Sequence, residues 1–142
     1  MGELNESKMN TQISNQQIDP KDNILLVEDD EVATNVVMTF LRGAYNLECV
    51  TDGEQALEKI NAKKYDLILM DINLGSGMNG LHVTKLIREI PHYMGVPIIA
   101  LTAYAMEGDS EEFLAAGCSH YLAKPFGRQE LVDMVKSALK KT

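Results

Sequence analysis

The stretch ILLVEDDE at residues 24–31 sets four consecutive apolar residues directly before four acidic ones. Two further apolar runs follow, LILM at residues 67–70 and VPIIAL at residues 96–101, and each ends at a polar side chain. Runs that are apolar at successive positions are typical of strands that helices cover on both faces. The sequence therefore predicts a buried parallel sheet with polar residues at one edge.

Strand-like and helix-like segments alternate along the rest of the chain. The predicted strands are residues 24–27, 47–50, 67–70 and 96–101, with a weaker one around 120–122, and the predicted helices are residues 31–42, 53–61, 80–89, 107–116 and 127–140. Such alternation implies right-handed crossovers between parallel strands, with helices on both faces of one sheet. The sequence therefore predicts an α/β domain of about 120 residues.

Composition limits the kind of protein that this chain can form. Its 142 residues, 45% apolar and 24% charged, suit one ordinary domain, and no apolar run reaches the length of a membrane-spanning helix. Residues 1–22 are rich in polar side chains without periodicity, so we expect a flexible tail there and the folded domain at residues 23–142. No secretory signal is recognisable, which favours a cytoplasmic protein. Only two residues follow Lys140, so we expect either that the output goes through a partner surface or that this chain is a piece of a larger protein.

The charge and the cysteines exclude further classes. With 13 basic and 21 acidic side chains the formal charge is -8, which disfavours direct binding to nucleic acid or to anionic lipid. Cys49 and Cys118 form no metal-binding or redox motif, so we expect free thiols.

Acidic residues follow two of the predicted strands, at the edge where open parallel sheets bind their ligands. A cap for the first helix explains Asp30 or Glu31, but it does not explain why Glu28 and Asp29 would meet Asp71. Converging carboxylates repel one another unless a hard cation binds between them. The pattern therefore favours a Mg²⁺ or Mn²⁺ site over helix capping alone.

Asp71 has a second possible role, because a carboxylate can attack phosphorus and carry the phosphoryl group as a mixed anhydride. That chemistry needs a cation and a hydrogen-bond donor, which Lys124 and Thr102 could supply after the last two strands. Taken singly, a lysine at a strand end is usually solvated and a threonine there usually caps a turn. Only the combination points to phosphoryl transfer.

From about residue 23 to residue 140, the chain resembles the receiver domain of two-component response regulators. The resemblance implies a metal bound directly by Asp29, through water by Glu28, and through the backbone carbonyl of Asn73. It implies that Asp71 is the phospho-accepting aspartate.

The other matched positions concern the switch and the fold. The resemblance implies that Thr102 and Tyr121 change conformation together, that Lys124 binds the phosphoryl group, and that its bond to Pro125 is cis, although trans is the default. It also implies a flavodoxin-like (βα)5 three-layer sandwich with strand order 2-1-3-4-5. Two features concern the surroundings of the acceptor: the loop at residues 74–80 is glycine-rich and one residue longer than the usual proline-containing loop, and Tyr104 and Asn73 lie where the family tunes water access.

The implied function is signalling, without catalysis on a separate substrate. A sensor histidine kinase or a histidine phosphotransfer protein would donate the phosphoryl group, and the domain would catalyse only its own phosphorylation and dephosphorylation. The face formed by helix 4, strand 5 and helix 5 would then bind a downstream protein.

Three alternatives stay open at this point. A phosphatase of the haloacid dehalogenase type would need an acid at position 73, where the chain has Asn73. A nucleotide or flavin module would want a glycine-rich turn after the first strand, where this chain has carboxylates. A receiver-like interaction module that is never phosphorylated is disfavoured by the intact set of Glu28, Asp29, Asp71, Thr102 and Lys124.

Overall fold

The computed structural model describes residues 21–75, 77–103 and 109–140, in which five strands alternate with five α-helices. The strands are Asn23–Val27 (β1), Asn46–Val50 (β2), Leu67–Asp71 (β3), Ile98–Thr102 (β4) and His120–Ala123 (β5). The helices are Glu31–Leu41 (α1), Gly53–Ala62 (α2), Gly80–Arg88 (α3), Asp109–Ala116 (α4) and Arg128–Leu139 (α5), with a short 3-10 helix at Pro91–Tyr93.

All five strands are parallel, and their order is β2-β1-β3-β4-β5. Alternate residues of β1, β3 and β4 enter two apolar cores: Leu25 and Ile68 pack with α2, α3 and α4, and Leu26 and Leu69 pack with α1 and α5. This two-sided burial is the reason why the strands are apolar at successive positions. The predicted α/β sandwich and its strand order are confirmed.

Side-chain caps fix the first residues of three helices. Asp30 Oδ2 accepts a hydrogen bond from the Ala33 N–H at 2.9 Å, and Asp52 and Asn79 cap α2 and α3 in the same way. Each cap satisfies a backbone donor that the helix leaves unpaired and stabilises the fold by about 1 kcal/mol. Asp30 therefore has the capping role that the sequence allowed for it.

Strand β4 begins at Ile98, whereas the apolar run predicted a start at Val96. Pro97 has no N–H to give to the ladder, and the carbonyl of Val96 accepts a hydrogen bond from Arg88 Nη1 at 2.6 Å. The first two residues of the run therefore lie in the connection before the strand, which corrects the predicted boundary.

No helix among the described residues is long and apolar enough to cross a membrane. Residues 1–20 of the predicted tail, Ser76 in the loop after β3, Tyr104 and the first two residues of the fourth predicted helix lie outside the described ranges.

Candidate functional site at the carboxyl edge of the sheet

The acidic residues after β1 point in different directions. Glu28 donates its backbone N–H to the carbonyl of Val50 at 3.0 Å, and only 1% of Glu28 is exposed. Asp29 is exposed at the surface, and Asp30 turns away to cap α1. One buried and one exposed carboxylate thus face the site.

Asp71 ends β3 and is 2% exposed. Its Oδ1 accepts a hydrogen bond from the backbone N–H of Asn73 at 3.0 Å and lies 3.5 Å from Lys124 Nζ. One carboxylate oxygen from each of Glu28, Asp29 and Asp71 lies within 4.8 Å of the other two. Three convergent carboxylates suit a hard divalent cation with oxygen ligands, so these residues fit the metal that the resemblance implies.

Lys124 links the three strand ends. Its Nζ lies 2.8 Å from Oε1 of Glu28, and its backbone N–H donates to the carbonyl of Thr102 at 2.7 Å. Thr102 is buried at the end of β4. The peptide bond from Lys124 to Pro125 is cis, in agreement with the resemblance and in contrast to the default for such bonds.

The crowding of charge at the site shifts the pKa values of two groups, Glu28 and Lys124. Burial and the neighbouring Asp71 raise the pKa of the Glu28 carboxyl to about 7. Burial opposes the charged form of Lys124, but the hydrogen bond to Glu28 and the charges of Asp71 and Glu28 outweigh it and raise the pKa of the ammonium. The lysine therefore stays positive, while the buried glutamate is readily protonated.

The remaining predicted site residues lie farther out. Asn73 is exposed, and it reaches Asp71 through its own backbone N–H. Tyr121 is 42% exposed on β5, and the centroid of its ring is 5.8 Å from that of Phe113 in α4. The structure thus brings Glu28, Asp29, Asp71 and Lys124 together and leaves Tyr121 outside this cluster.

One contact at the site was not foreseen from the sequence. The backbone N–H of Gly75 donates to Oδ2 of Asp29 at 2.7 Å, which joins the loop after β3 to the loop after β1. The signal in the sequence was the glycine-rich composition of residues 74–80, but composition does not tell which N–H of a loop finds which acceptor.

A parallel sheet that gathers three carboxylates and a lysine at its carboxyl edge has the makeup of a metal-dependent phosphoacceptor domain. Residues 24–136 match the family described as response regulator receiver domain, and the chain belongs to this family, the phosphoacceptor domain of two-component signalling.

Similar curated proteins include both large kinases and a small regulator. The chain is 35% identical to the signal transduction histidine-protein kinase BarA of Escherichia coli K12 over 113 aligned residues, and this alignment covers 79% of the chain. It is 40% identical over 134 residues, 93% of its length, to the autoinducer 2 sensor kinase/phosphatase LuxQ of Vibrio vulnificus. The chain spans only 12% of the first kinase and 15% of the second. It is also 33% identical over 117 residues to the polar-differentiation response regulator DivK of Brucella anthropi, with 82% of this chain and 94% of that protein covered.

Solved structures agree in fold. The receiver domain of the sensor histidine kinase PA1611 from Pseudomonas aeruginosa PAO1 shares 42% identity and a TM-score of 0.77, over 84% of this chain and 98% of that one. That structure has a magnesium ion coordinated in its active site cleft. The chemotaxis protein CheY4 of Vibrio cholerae shares 29% identity and a TM-score of 0.79, over 84% and 99% of the two chains.

Proposed function

We propose that Asp71 accepts a phosphoryl group from a phosphohistidine on a sensor histidine kinase or a histidine phosphotransfer protein, with Mg²⁺ or Mn²⁺ as cofactor. The observation that carries this proposal is the position of Asp71, whose carboxylate lies among Glu28, Asp29 and Lys124 at the carboxyl edge of the sheet. The relatives support the nature of the donor, because two of them are named as histidine kinases or sensor kinases.

In the transfer, a carboxylate oxygen of Asp71 forms a bond to phosphorus as the bond from phosphorus to the donor imidazole nitrogen breaks. The electron pair of the broken bond stays on the imidazole, and the product on Asp71 is an acyl phosphate. Lys124, which holds Oδ1 of Asp71 at 3.5 Å, is placed to neutralise an oxygen of the incoming group. The hydroxyl of the buried Thr102 is the proposed hydrogen-bond donor to a second oxygen of the phosphoryl group.

We propose that Asp29, Asp71 and the backbone carbonyl of Asn73 would bind the metal directly and that Glu28 would reach it through water. A bound Mg²⁺ or Mn²⁺ would supply positive charge to the oxygens of the transferred group. The chain's own residues do the positioning: the Asn73 N–H holds one oxygen of Asp71, and Glu28 holds the ammonium of Lys124 at 2.8 Å.

The proposed output is a change in the face formed by α4, β5 and α5, which would bind a downstream protein. Thr102 lies beside Ala123 in the sheet, two residues after Tyr121, so a movement of Thr102 can be passed to the neighbouring strand. The exposed ring of Tyr121 packs on Phe113 of α4, and a change in its conformation would alter that face.

Other parts of the proposal rest on charge and on the family. We infer a cytoplasmic location, where histidine kinases present their phosphoryl groups, and no direct contact with nucleic acid, because the net charge is -8. The reaction is confined to the domain's own aspartate, so we do not assign an enzymatic activity on a separate substrate.

Mass spectrometry after an acid quench tests the acceptor. The protein is incubated with acetyl phosphate and Mg²⁺, or with EDTA in place of Mg²⁺, and compared with Asp71→Asn and with Asp133→Asn on α5 as the matched surface control. We expect one phosphoryl group on the unsubstituted protein and on the control, and none on Asp71→Asn or in EDTA. Equal labelling of Asp71→Asn would remove Asp71 from this role, and no labelling of any form by acetyl phosphate or by a phosphohistidine donor would favour an interaction module that is never phosphorylated.

A further inference from the structure

The short segment from Asn73 to Gly75 contacts two different carboxylates of the site. The N–H of Asn73 donates to Oδ1 of Asp71 at 3.0 Å, and two residues later the N–H of Gly75 donates to Oδ2 of Asp29 at 2.7 Å. The first contact is local, because Asp71 is two residues away, whereas the second spans 46 residues of sequence. The exposed Asp29 is thus attached to the loop after β3.

A side chain at position 75 would displace the Asp29 carboxylate from its present position. A Cβ atom built on Gly75 would lie 2.5 Å from Oδ2 of Asp29 and 3.7 Å from its Cγ. The backbone of Gly75 is not in the left-handed region, in contrast to Gly43 and Gly77, so conformation does not require glycine here. Glycine instead permits the close approach of the loop to the Asp29 carboxylate.

A carboxylate that binds metal is usually held in orientation by a hydrogen bond to the surrounding protein. Among the described residues, the N–H of Gly75 supplies such a bond to Asp29 from an element outside the acidic sequence 28–31. We propose that Gly75 is a positioning residue for the metal site, whose N–H orients Asp29 and whose missing side chain allows the loop to come that close.

This inference rests on the proposed metal site and names one further determinant of its affinity. Alanine at position 75 would push either the loop or the Asp29 carboxylate out of place. Loss of an orienting hydrogen bond of this kind lowers metal affinity by about tenfold or more. We therefore expect Gly75→Ala to weaken the binding of Mg²⁺ about tenfold.

Isothermal titration with Mg²⁺ alone measures this effect without reference to phosphorylation. The matched control is Gly43→Ala in the turn after α1, where a Cβ meets nothing within 4 Å and a φ of 83° strains alanine. That control is expected to lower the melting temperature and to keep the Mg²⁺ affinity of the unsubstituted protein. Gly75→Ala is expected to lose affinity, and an affinity equal to or tighter than that of the unsubstituted protein would overturn the inference.

Amide hydrogen exchange gives a second test that does not depend on the folding of Gly75→Ala. The N–H of Gly75 should be protected in the unsubstituted protein and should exchange faster in Asp29→Ala, because its acceptor is removed. Equal exchange in the two proteins would overturn the inference while leaving phosphorylation of Asp71 intact. If the unsubstituted protein itself does not bind Mg²⁺, the proposed metal site fails together with this inference.

Discussion

Two glutamates of this protein each form an ion pair with a lysine, yet the pKa of one carboxyl is raised and that of the other is lowered. Glu28 contacts Lys124 at 2.8 Å, and its pKa is raised to about 7 because it is buried beside Asp71. Glu48 on β2 binds Lys63, and hydrogen bonds from Lys63 and Tyr65 lower the pKa of its carboxyl. The Glu28 side chain is 1% exposed and that of Glu48 is 33% exposed.

The difference lies in the balance of charge around each pair. At the surface, Glu48 has two lysines, since Lys59 Nζ is 3.7 Å away in addition to Lys63. At the carboxyl edge, three carboxylates face the one lysine that the described residues place beside them. A cluster with two buried carboxylates and too few cations is costly by itself and is suited to take up a cation from solution. Lysines of the fold balance the charge of Glu48, whereas the Glu28 cluster is the proposed site for a cation from solution.

The largest expected effect comes from removing Lys124, the half-buried lysine of the site. Lys124→Met leaves the buried carboxylates of Glu28 and Asp71 without their cation, and an unpaired buried charge of this kind costs about 3 kcal/mol of unfolding free energy. Lys63→Met removes a lysine from the surface cluster and is the matched control, with an expected loss below about 1 kcal/mol. Denaturant unfolding at pH 8 in EDTA measures the unfolding free energy of both variants. Equal losses in the two variants would contradict the contrast between the two clusters.

The second effect is a dependence of stability on pH that belongs to Glu28. Because its pKa is about 7 in the folded protein and 4.5 ordinarily, the folded state holds a proton in this interval that the unfolded state has released. The stabilisation is complete below about pH 4.5 and is lost as the pH rises through 7, so between pH 5 and pH 8 the unfolding free energy should fall by on the order of 2 kcal/mol.

Denaturant unfolding between pH 5 and pH 8 in EDTA checks this slope. Glu28→Gln cannot titrate, and we expect it to flatten the slope. Glu48→Gln, the control in the surface cluster, should leave the slope attributed to Glu28 in place. A steep slope that survives in Glu28→Gln would assign the titration to another group.

The sequence determines the sheet because apolar runs such as residues 67–70 leave few alternatives to a strand buried on both faces. It does not determine where such a run joins the ladder: β4 starts two residues late because Pro97 lacks an N–H and Arg88 binds the carbonyl of Val96. The convergence of Glu28, Asp29 and Asp71 was predicted from side chains at strand ends. The sequence does not predict the contact from Gly75 to Asp29, because this contact uses a backbone N–H, which every residue except proline has.

Mg²⁺ should stabilise the protein through the same cluster. When free Mg²⁺ is about tenfold above its dissociation constant, binding to the folded state alone adds about 1 to 2 kcal/mol. We expect a rise in melting temperature at millimolar Mg²⁺, larger at pH 8 than at pH 5.5, because protonation of Glu28 competes with the metal. NaCl at equal ionic strength is the control for screening, and Asp29→Asn should reduce the rise. A melting temperature that ignores Mg²⁺ would contradict the proposed metal site.

The smallest expected effect is that of Glu48→Gln, which breaks the surface cluster while keeping the size of the side chain. Ion pairs at partly exposed positions contribute at most about 1 kcal/mol, since solvent and salt screen their charges. We expect a loss in that range at low ionic strength that shrinks at high salt, together with unchanged Mg²⁺ affinity, as measured by unfolding and by titration. A loss as large as that of Lys124→Met, or a weaker Mg²⁺ site, would show that the two glutamates are coupled through β1 and β2, which lie side by side in the sheet.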